Sequence, residues 1–305
     1  MPKMRAILVG AVESSAVALD AIAAHPDWSL AAVVTLDEAH SGRHSDHVDL
    51  GPAAFASGSD VIRVDSINRD GALAAMARVA ADHIFVIGWS QICGPAFLDL
   101  AKDRVIGYHP AALPRLRGRA AIPWTILNRE PITAGSLFWI DPGTDTGDLL
   151  DQHYFHVAPD ETAATLYAKH MRALSTLLTR SLTALAHGGA TRQKQEEACA
   201  TWAARRTPVD GRIDWTAPAE DVLRLIRASG RPYHGAFTMA GEEQLSIWAA
   251  TEAPGGHRHL ARAGQVVAVH EQGFTVICGD GAAVAVTQWG GASRLPRQHM
   301  RLGAP

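Results

Sequence analysis

The run AILVGAV at residues 6–12 decides the fold, because its apolar and β-branched side chains are typical of a strand buried on both faces. Helical patterns occur at 14–24 and 70–79. Further short apolar runs follow along the first half, at 30–36, 61–64, 83–87 and 104–108. Strands of this length that alternate with helices predict an α/β fold with a doubly wound, mostly parallel sheet of the Rossmann type. In such sheets ligands bind beyond the carboxyl ends of the strands.

The second half of the chain changes in pattern. Two more strand-like runs, 134–140 and 149–157, precede a long amphipathic pattern at 161–186. After a polar connection, short apolar runs separated by Gly-containing turns predict a small, OB-like β-barrel. The predicted parts of the chain are a first, α/β domain at 1–190, a linker at 191–205 and a β-rich domain at 206–305.

Composition excludes several classes of protein. The 305 residues are 47% hydrophobic and 19% charged, which is typical of a soluble globular protein and not of a disordered chain. The formal net charge of −3 gives no general attraction to phosphates, so we expect no nucleic-acid partner. Apolar runs are too short to cross a bilayer. Because Cys93, Cys199 and Cys278 are too far apart for a CxxC site or a disulfide framework, we expect a cytoplasmic protein.

Candidate chemistry is concentrated in the run GYHPAALPRLRGR at residues 107–119. His109 closes the fifth predicted strand, and Asp145 lies in a Gly-rich turn, DPGTDTGD, at 141–148. A single histidine is more often a structural residue, but a position at the edge of a parallel sheet favours chemistry. The pattern does not choose between Asp145 and Asp148. Two strand ends that bring an imidazole and a carboxylate together provide a pair for proton transfer.

The loop at 37–58 contains three histidines, His40, His44 and His47. Their spacing leaves a metal site as one alternative. A polar loop of this kind is more typical of a solvated segment, so we expect no metal.

These segments resemble those of the 10-formyltetrahydrofolate-dependent formyltransferases, which include methionyl-tRNA, glycinamide ribonucleotide and sugar N-formyltransferases. The resemblance covers nearly the whole chain. The matching segments are 85–92, 109–123, 145–148, 205–215 and 226–237. The last two look most like the formyltransferase domain that acts on UDP-4-amino-4-deoxy-arabinose. The resemblance implies an enzyme that uses 10-formyltetrahydrofolate as co-substrate and needs no metal.

The resemblance also implies a catalytic trio of Asn, His and Asp. His109 and Asp145 take the positions of the histidine and the aspartate, whereas Gly107 stands where the family has asparagine. In that chemistry an amine attacks the formyl carbon, the imidazole takes a proton, and N–H donors stabilise the oxyanion. Losing one donor typically costs about 3 kcal/mol in the barrier. We expect a backbone N–H, a water, a substrate group or the side chain of Gln91 to compensate.

Binding residues follow from the same resemblance. The residues expected to form the pterin pocket are Trp89, Ser90, Gln91, Ile92 and the main chain of Asp145. Arg115, Arg117 and Arg119 are candidates for binding an anionic acceptor through forked hydrogen bonds. The alternative for these arginines is a solvated or carboxylate-paired loop.

The expected function is N-formylation of an amine on a small molecule, such as an amino sugar, a sugar nucleotide or a specialised metabolite. Gly107 leaves two alternatives open. One is a related folate reaction, either hydrolysis of the formyl donor or transfer at another oxidation level. The other is a catalytically silent binding protein. Methionyl-tRNA is disfavoured as acceptor by the acidic charge balance. The oligomeric state stays open, with a homodimer as one alternative.

Overall fold

Apolar runs of the first half form the strands of a central sheet. The computed structural model describes residues 2–43 and 46–303. The strands before residue 204 are β1 (Met4–Val9), β2 (Trp28–Leu36), β3 (Asp60–Val64), β4 (His83–Val86), β5 (Val105–His109), β6 (Arg117–Gly118), β7 (Ile132–Trp139), β8 (Leu149–His156) and β9 (Trp202–Ala203). Within the described ranges, seven of them make one sheet in the order β3-β2-β1-β4-β5-β7-β8.

Strand direction divides this sheet into two parts. Strands β1 to β5 pair in parallel, whereas β7 runs antiparallel to β5 and β8 runs antiparallel to β7. The short strands β6 and β9 pair with each other in parallel. The predicted α/β fold with a mostly parallel sheet is therefore confirmed.

Helices connect most of the strands. The α-helices are α1 (Glu13–Ala24), α2 (Gly51–Ala56), α3 (Asp70–Val79), α4 (Pro95–Leu98), α5 (Ala121–Leu127), α6 (Ala163–Ala186) and α7 (Ala219–Ser229). Short 3-10 helices lie at Glu38–Arg43, Asp99–Ala101, Glu197–Cys199, Pro208–Gly211 and Gly256–Arg258. At the start of α6, Thr162 and Thr165 each donate a backbone N–H to the other's hydroxyl, at 3.0 and 3.2 Å, which caps the helix. In the described part of the chain, no helix is both long and apolar enough to span a membrane.

Both faces of the sheet are buried. One apolar cluster contains Phe85, Ile106 and Leu178. A second cluster, formed by alternate side chains of the sheet, contains Ile7 and Ile84. Each fully buried side chain of this size contributes about 1.5–3 kcal/mol. Burial on both faces explains why the strands read as continuous apolar runs and not as alternating patterns.

The strand order reverses beside β1. The chain passes outward through β2 and β3, and then continues at β4 on the other side of β1. A reversal of this kind leaves a crevice at the carboxyl ends of the strands. Trp89 follows β4 and His109 ends β5, so two of the segments selected from the sequence lie at this edge of the sheet.

The chain divides into two compact units whose boundaries are not at one position. The first unit extends to Ala121 and includes Ile132–His156 and Tyr167–Ala203. The second unit consists of Ile122–Pro131, Val157–Leu166 and the chain from Ala204 onward. The expected division, with a linker at 191–205, places the first two of these segments with the catalytic part instead.

The second unit is built around an antiparallel sheet. Its strands are β10 (Ala236–Ala240), β11 (Glu243–Ala253), β12 (Val266–Val269), β13 (Phe274–Ile277) and β14 (Ala283–Gly290). In the described ranges they form a five-stranded sheet in the order β10-β11-β14-β13-β12. Ile226 of α7 packs with Trp215, Ile247 and Phe274 in its core. This half-barrel agrees with the predicted β-rich domain.

The segment predicted as a loop at 37–58 contains two short helices. They are the 3-10 helix at Glu38–Arg43 and α2, which has Pro52 in its first turn. Proline is favoured at that position of a helix because its fixed φ suits the first turn and its missing N–H would be unpaired there.

Candidate active site

His109, the last residue of β5, has a buried side chain that is 7% exposed. Its Nε2 lies 2.7 Å from the carbonyl oxygen of Leu116. Because a carbonyl oxygen can only accept, Nε2 carries a hydrogen and donates it. In the neutral ring, Nδ1 therefore has a free lone pair.

Asp145 brings a carboxylate to that nitrogen. Its Oδ2 lies 3.5 Å from Nδ1 of His109 and accepts a hydrogen bond from the backbone N–H of Gly118 at 2.8 Å. Asp145 has a φ of 55°, in the left-handed region, which aspartate adopts more readily than most residues. The structure thus brings together the histidine and the aspartate selected from the sequence. When Nδ1 is protonated, the carboxylate stabilises the imidazolium.

The turn that carries Asp145 is held by Gln195. The side-chain N–H groups of Gln195 donate to the carbonyl oxygens of Asp145 and Gly147 at 2.8 and 2.7 Å. Arg117 donates to the side-chain oxygen of Gln195 from Nε at 3.1 Å and from Nη2 at 2.9 Å. Sequence reasoning missed Gln195, which lies in a segment expected to be a linker.

Arg117 differs from its expected role as an acceptor-binding residue. Its side chain is 1% exposed, and its guanidinium binds Glu197 at 2.7 Å as well as Gln195. Hydrogen bonding to Arg117 holds the pKa of the Glu197 carboxyl below its usual range. The carboxylate-paired alternative therefore describes Arg117, because its donors are already bound within the protein.

Arg115 and Arg119 flank this buried arginine and are both exposed. The backbone N–H of Arg119 donates to the carbonyl oxygen of Ala203 at 3.0 Å. These two residues keep the exposure that contact with an anionic molecule requires.

The loop after His109 is fixed from the neighbouring strands. Ser136 of β7 donates to the carbonyl oxygen of Ala111 at 2.6 Å. Gln152 of β8 donates to the carbonyl oxygen of Leu113 at 2.9 Å and to the hydroxyl of Ser136 at 2.8 Å. The Leu113–Pro114 peptide bond is cis. Sequence reasoning missed Ser136 and Gln152, since an isolated polar residue in a strand carries no signal of its partners.

Gly107 has no room for a side chain. A Cβ at this position would lie 2.9 Å from Cε1 and Cζ of Phe138 and 3.0 Å from Cγ1 of Ile140. Phe138 is buried and packs with Leu113 and Leu149. The space next to Gly107, where the family resemblance expects an amide, is therefore filled by an aromatic ring.

The segment after β4 has mixed exposure. Trp89 is half-buried, Ser90 is exposed, and the side chain of Ile92 is 76% exposed. Nε1 of Trp89 is buried, and within the described ranges no acceptor lies in hydrogen-bonding distance of it. Asn68 holds the segment by donating to the carbonyl oxygen of Ile92 at 2.9 Å and accepting from the N–H of Gly94 at 2.8 Å.

Gln91 does not supply a free amide. Its Nε2 donates to the carbonyl oxygen of Asp65 at 2.7 Å, and its Oε1 accepts from the N–H of Ile67 at 3.4 Å. The expectation that this amide replaces the missing asparagine would require both bonds to break. Gln91 instead fixes the path of the main chain after β4.

A second imidazole lies behind β5. The hydroxyl of Tyr108 is 3.2 Å from both Nδ1 and the carbonyl oxygen of His170. Burial lowers the pKa of His170 to about 3, and a positive charge on His109 acts in the same direction. His170 therefore stays neutral near pH 7 and does not compete with His109 for a proton.

The histidine loop shows no metal-like arrangement in the part that is described. His40 is paired with Asp37 at 2.5 Å, and the backbone of His47 bridges to Val12. His44 lies outside the described residues. Among the residues that the structure describes, no group of three or more His, Cys, Asp or Glu side chains could hold a metal ion.

Comparison with known proteins matches both parts of the chain. The family described as "Formyl transferase" matches residues 7–182, and "Formyl transferase, C-terminal domain" matches residues 206–295. A methionyl-tRNA formyltransferase of Akkermansia muciniphila is 31% identical over 310 residues, which cover 99% of this chain and 97% of that protein.

Solved structures share the fold. The sugar 3N-formyl transferase WlaRD, with dTDP and 5-N-formyl-THF present, has a TM-score of 0.70 at 18% identity and covers 94% of this chain and 98% of its own. An N-formyltransferase of Helicobacter canadensis, in complex with folinic acid and dTDP-3-aminofucose, has a TM-score of 0.68 at 17% identity, with coverages of 93% and 99%. Likeness at these identities shows a common architecture.

Proposed function

This chain belongs to the formyl transferase family, and on that premise we propose that it is an N-formyltransferase acting on the amine of a small molecule. The proposed donor is 10-formyltetrahydrofolate. The proposed acceptors are amino sugars, sugar nucleotides or specialised metabolites. The observation that carries the proposal is the pair of His109 Nδ1 and Asp145 Oδ2, 3.5 Å apart, with Nε2 held by the Leu116 carbonyl.

His109 acts as the base in this proposal. An amine that attacks a formyl carbon must lose a proton, and the lone pair on Nδ1 accepts it. The Leu116 carbonyl keeps the other ring nitrogen protonated, so the reactive tautomer is present before substrates bind. The Asp145 carboxylate then stabilises the imidazolium. Apo distances of this kind commonly shorten when substrates bind.

The folate is proposed to lie along the segment after β4. An apolar slot with a few polar groups suits a flat heteroaromatic ring. The exposed Ile92 and the half-buried Trp89, whose Nε1 has no acceptor among the described residues, fit such a ring. So does the main chain at Gln91, whose side chain is held by the carbonyl oxygen of Asp65. Bound there, the folate supplies the formyl group. The backbone of Asp145 is the proposed contact on the opposite side.

Stabilisation of the formyl oxygen cannot come from a side chain at residue 107 in this proposal. Gly107 offers no side-chain donor, and Phe138 fills the adjacent space. The charge that develops on the oxygen is proposed to be stabilised by the protonated His109 together with donors from the substrates. These donors stabilise the charge on the formyl oxygen less than a complete Asn, His and Asp trio would. Hydrolysis of the formyl donor therefore stays an alternative reaction.

Methionyl-tRNA is a second candidate acceptor. The 31% identity to a methionyl-tRNA formyltransferase over nearly the full length favours it. The net charge of −3 favours a small acceptor instead, because phosphate neutralisation dominates the binding of nucleic acids. The exposed Arg115 and Arg119 are proposed to bind the anionic group of that small acceptor. Free cysteines at 93, 199 and 278 support the reducing cytoplasm as the proposed compartment.

An acceptor panel distinguishes these candidates. Purified protein is given 10-formyltetrahydrofolate with dTDP-3-aminofucose, glycinamide ribonucleotide or methionyl-tRNA, and the N-formyl product is measured by mass spectrometry. We expect a higher kcat/KM with one of the small amines. Preferred formylation of the tRNA would replace the first candidate by the second. Release of folate without an N-formyl product would identify a hydrolase.

Removal of the Asp145 charge tests the chemistry itself. We expect Asp145→Asn to lower kcat by about 10²–10⁴-fold, because the imidazolium loses its counter-charge. Asp148→Asn is the matched control, since it makes the same change three residues away in the same turn. Circular dichroism checks that both variants fold. Turnover of Asp145→Asn at the wild-type rate would contradict the proposed pair.

A further inference from the structure

Three side chains form a chain of hydrogen bonds that ends at the backbone of Asp145. Glu197 binds the Arg117 guanidinium at 2.7 Å, and Arg117 donates twice to the oxygen of the Gln195 amide. The nitrogen of that amide donates twice, to the carbonyl oxygens of Asp145 and Gly147. Both polar atoms of the Gln195 side chain are thus hydrogen-bonded, the oxygen to Arg117 and the nitrogen to the turn that carries Asp145.

The order of these bonds fixes which way the Gln195 amide faces. Its oxygen accepts and its nitrogen donates, and a reversed amide would place its oxygen against two carbonyl oxygens. Arg117 has donors only, so it selects the orientation with the oxygen toward itself. Because Arg117 is 1% exposed, this selection takes place where water cannot supply the same bonds.

The turn needs such support because Asp145 has left-handed backbone geometry, with a φ of 55°. Its side chain must also reach two partners at once, Nδ1 of His109 at 3.5 Å and the N–H of Gly118 at 2.8 Å. A small rotation of the backbone at Asp145 would move Oδ2 away from both. Bonds to the carbonyl groups on either side of residue 146 restrain that rotation.

We infer that Gln195 is a positioning residue for the reaction: it sets the backbone of Asp145 so that the carboxylate faces His109, and Arg117 sets Gln195. This inference rests on the proposed role of the His109–Asp145 pair. It also assigns a function to part of the segment 191–205, which the sequence presents as a linker.

The test is Gln195→Glu, which keeps the size of the side chain and its acceptor for Arg117 but cannot donate to the Asp145 turn. With 10-formyltetrahydrofolate and dTDP-3-aminofucose as the acceptor probe, we expect kcat to fall about 10–100-fold while KM for the donor stays within about twofold. A crystal structure of the variant is expected to show Oδ2 of Asp145 more than 3.5 Å from Nδ1 of His109.

Gln193→Glu is the matched control. It makes the same change in the same segment, on an exposed side chain whose backbone pairs with Leu149 at 2.7 and 3.0 Å. We expect wild-type kcat and an unchanged separation of His109 and Asp145. Both variants are expected to melt well above the assay temperature, so that a fall in kcat of Gln195→Glu alone reports positioning and not unfolding.

A double variant shows whether Gln195 acts through Asp145. If it does, Gln195→Glu adds no further loss in an Asp145→Asn background, because the interaction is already absent. Additive losses, or an unmoved Asp145 in the crystal structure, would overturn the positioning role. An inactive Asp145→Asn together with a fully active Gln195→Glu would overturn it too, and leave the proposed function standing. A fully active Asp145→Asn would reject the proposed function and this inference together.

Discussion

Gly107 is constrained by Phe138 of β7 and by Ile140, which follows that strand. The ring of Phe138 and the side chain of Ile140 lie within 3.0 Å of the place where a Cβ would be. Phe138 itself is held by Leu113 and Leu149 in a small buried cluster. An asparagine at this position would therefore have to displace a packed ring, so Gly107 and Phe138 form one structural unit.

A pair of Gly→Ala substitutions tests this packing. We expect Gly107→Ala to lower the free energy of unfolding by about 1–3 kcal/mol, because the added methyl group overpacks a buried site. Gly71→Ala is the control, since a Cβ at that position in α3 meets nothing within 4 Å. It is expected to leave stability unchanged or to raise it by up to about 0.5 kcal/mol, because Gly71 lies in the first turn of α3, where helix propensity counts less than in the interior. Urea unfolding measures both, and equal stability of the two variants would contradict the overpacking.

At this scale the sequence predicts the candidate site residues better than the residues that support them. His109 could be selected because it ends an apolar run. The Gly-rich turn contains both Asp145 and Asp148, and only the family resemblance chose Asp145. A carboxylate partner for Arg117 was one alternative, but its actual partners could not be predicted, since Gln195 and Glu197 are 78 and 80 residues away. Burial of a guanidinium depends on such distant contacts, which no local pattern contains.

At the scale of elements, three strands contribute an aromatic cluster around a buried histidine. His83 of β4 packs against Trp28 of β2, with ring centroids 5.4 Å apart, and against Trp139 of β7 at 6.3 Å. Burial lowers the pKa of His83 from 6.5 to about 4. Between these pH values the unfolded chain binds a proton that the folded chain does not. The stabilising contribution is complete above pH 6.5 and is lost as the pH falls toward 4.

His83→Phe removes this titration and keeps an aromatic side chain in the cluster. We expect the fall in unfolding free energy between pH 6.5 and 4 to become less steep, by up to about 1.4 kcal/mol per pH unit. His156→Phe, at an exposed histidine of β8, is the control and should leave the slope unchanged. Chemical unfolding at several pH values measures the slopes. Parallel curves for His83→Phe and wild type would contradict the assignment.

Strands with long apolar runs could be predicted within a few residues, whereas short or context-dependent ones could not. β6 and β9 have two residues each, which is too few for any pattern. The direction of β7 was not encoded in its composition either, because antiparallel pairing with β5 depends on the connection through 110–131. The helix α2 was missed because its short run of small residues reads as part of a polar loop.

At the scale of the whole molecule, the sequence alone could predict a formyl-transferring enzyme, and membership of the family confirms it. The expected domain boundaries follow the chain, but the compact units do not. Trp124 donates to the carbonyl oxygen of Ala204 at 2.9 Å, and Arg129 pairs with Glu220 at 3.1 Å. Segments far apart in sequence are thus parts of the second unit.

A chain that stops after Ala203 tests this organisation. Trp124 and Arg129 would lose these partners, and the carbonyl oxygen of Pro159 would lose the hydrogen bond from Arg227. We therefore expect residues 122–131 and 157–166 to exchange their amide hydrogens faster than in the full chain. Strands β1 to β5 are expected to keep their protection. Hydrogen exchange followed by mass spectrometry measures both regions. Unchanged protection of 122–131 would show that this segment is held by the first unit instead.

In the proposed mechanism, the carbonyl of Leu116 limits how His109 can return to its starting protonation state. The Leu116 carbonyl oxygen accepts the Nε2 hydrogen bond but cannot take up the proton, so His109 cannot pass a proton from Nδ1 out through Nε2. A proton accepted at Nδ1, the nitrogen that faces Asp145, then has to leave from Nδ1, either with the formylated product or after it. In the proposed mechanism, each turnover is therefore complete only when Nδ1 has lost its proton.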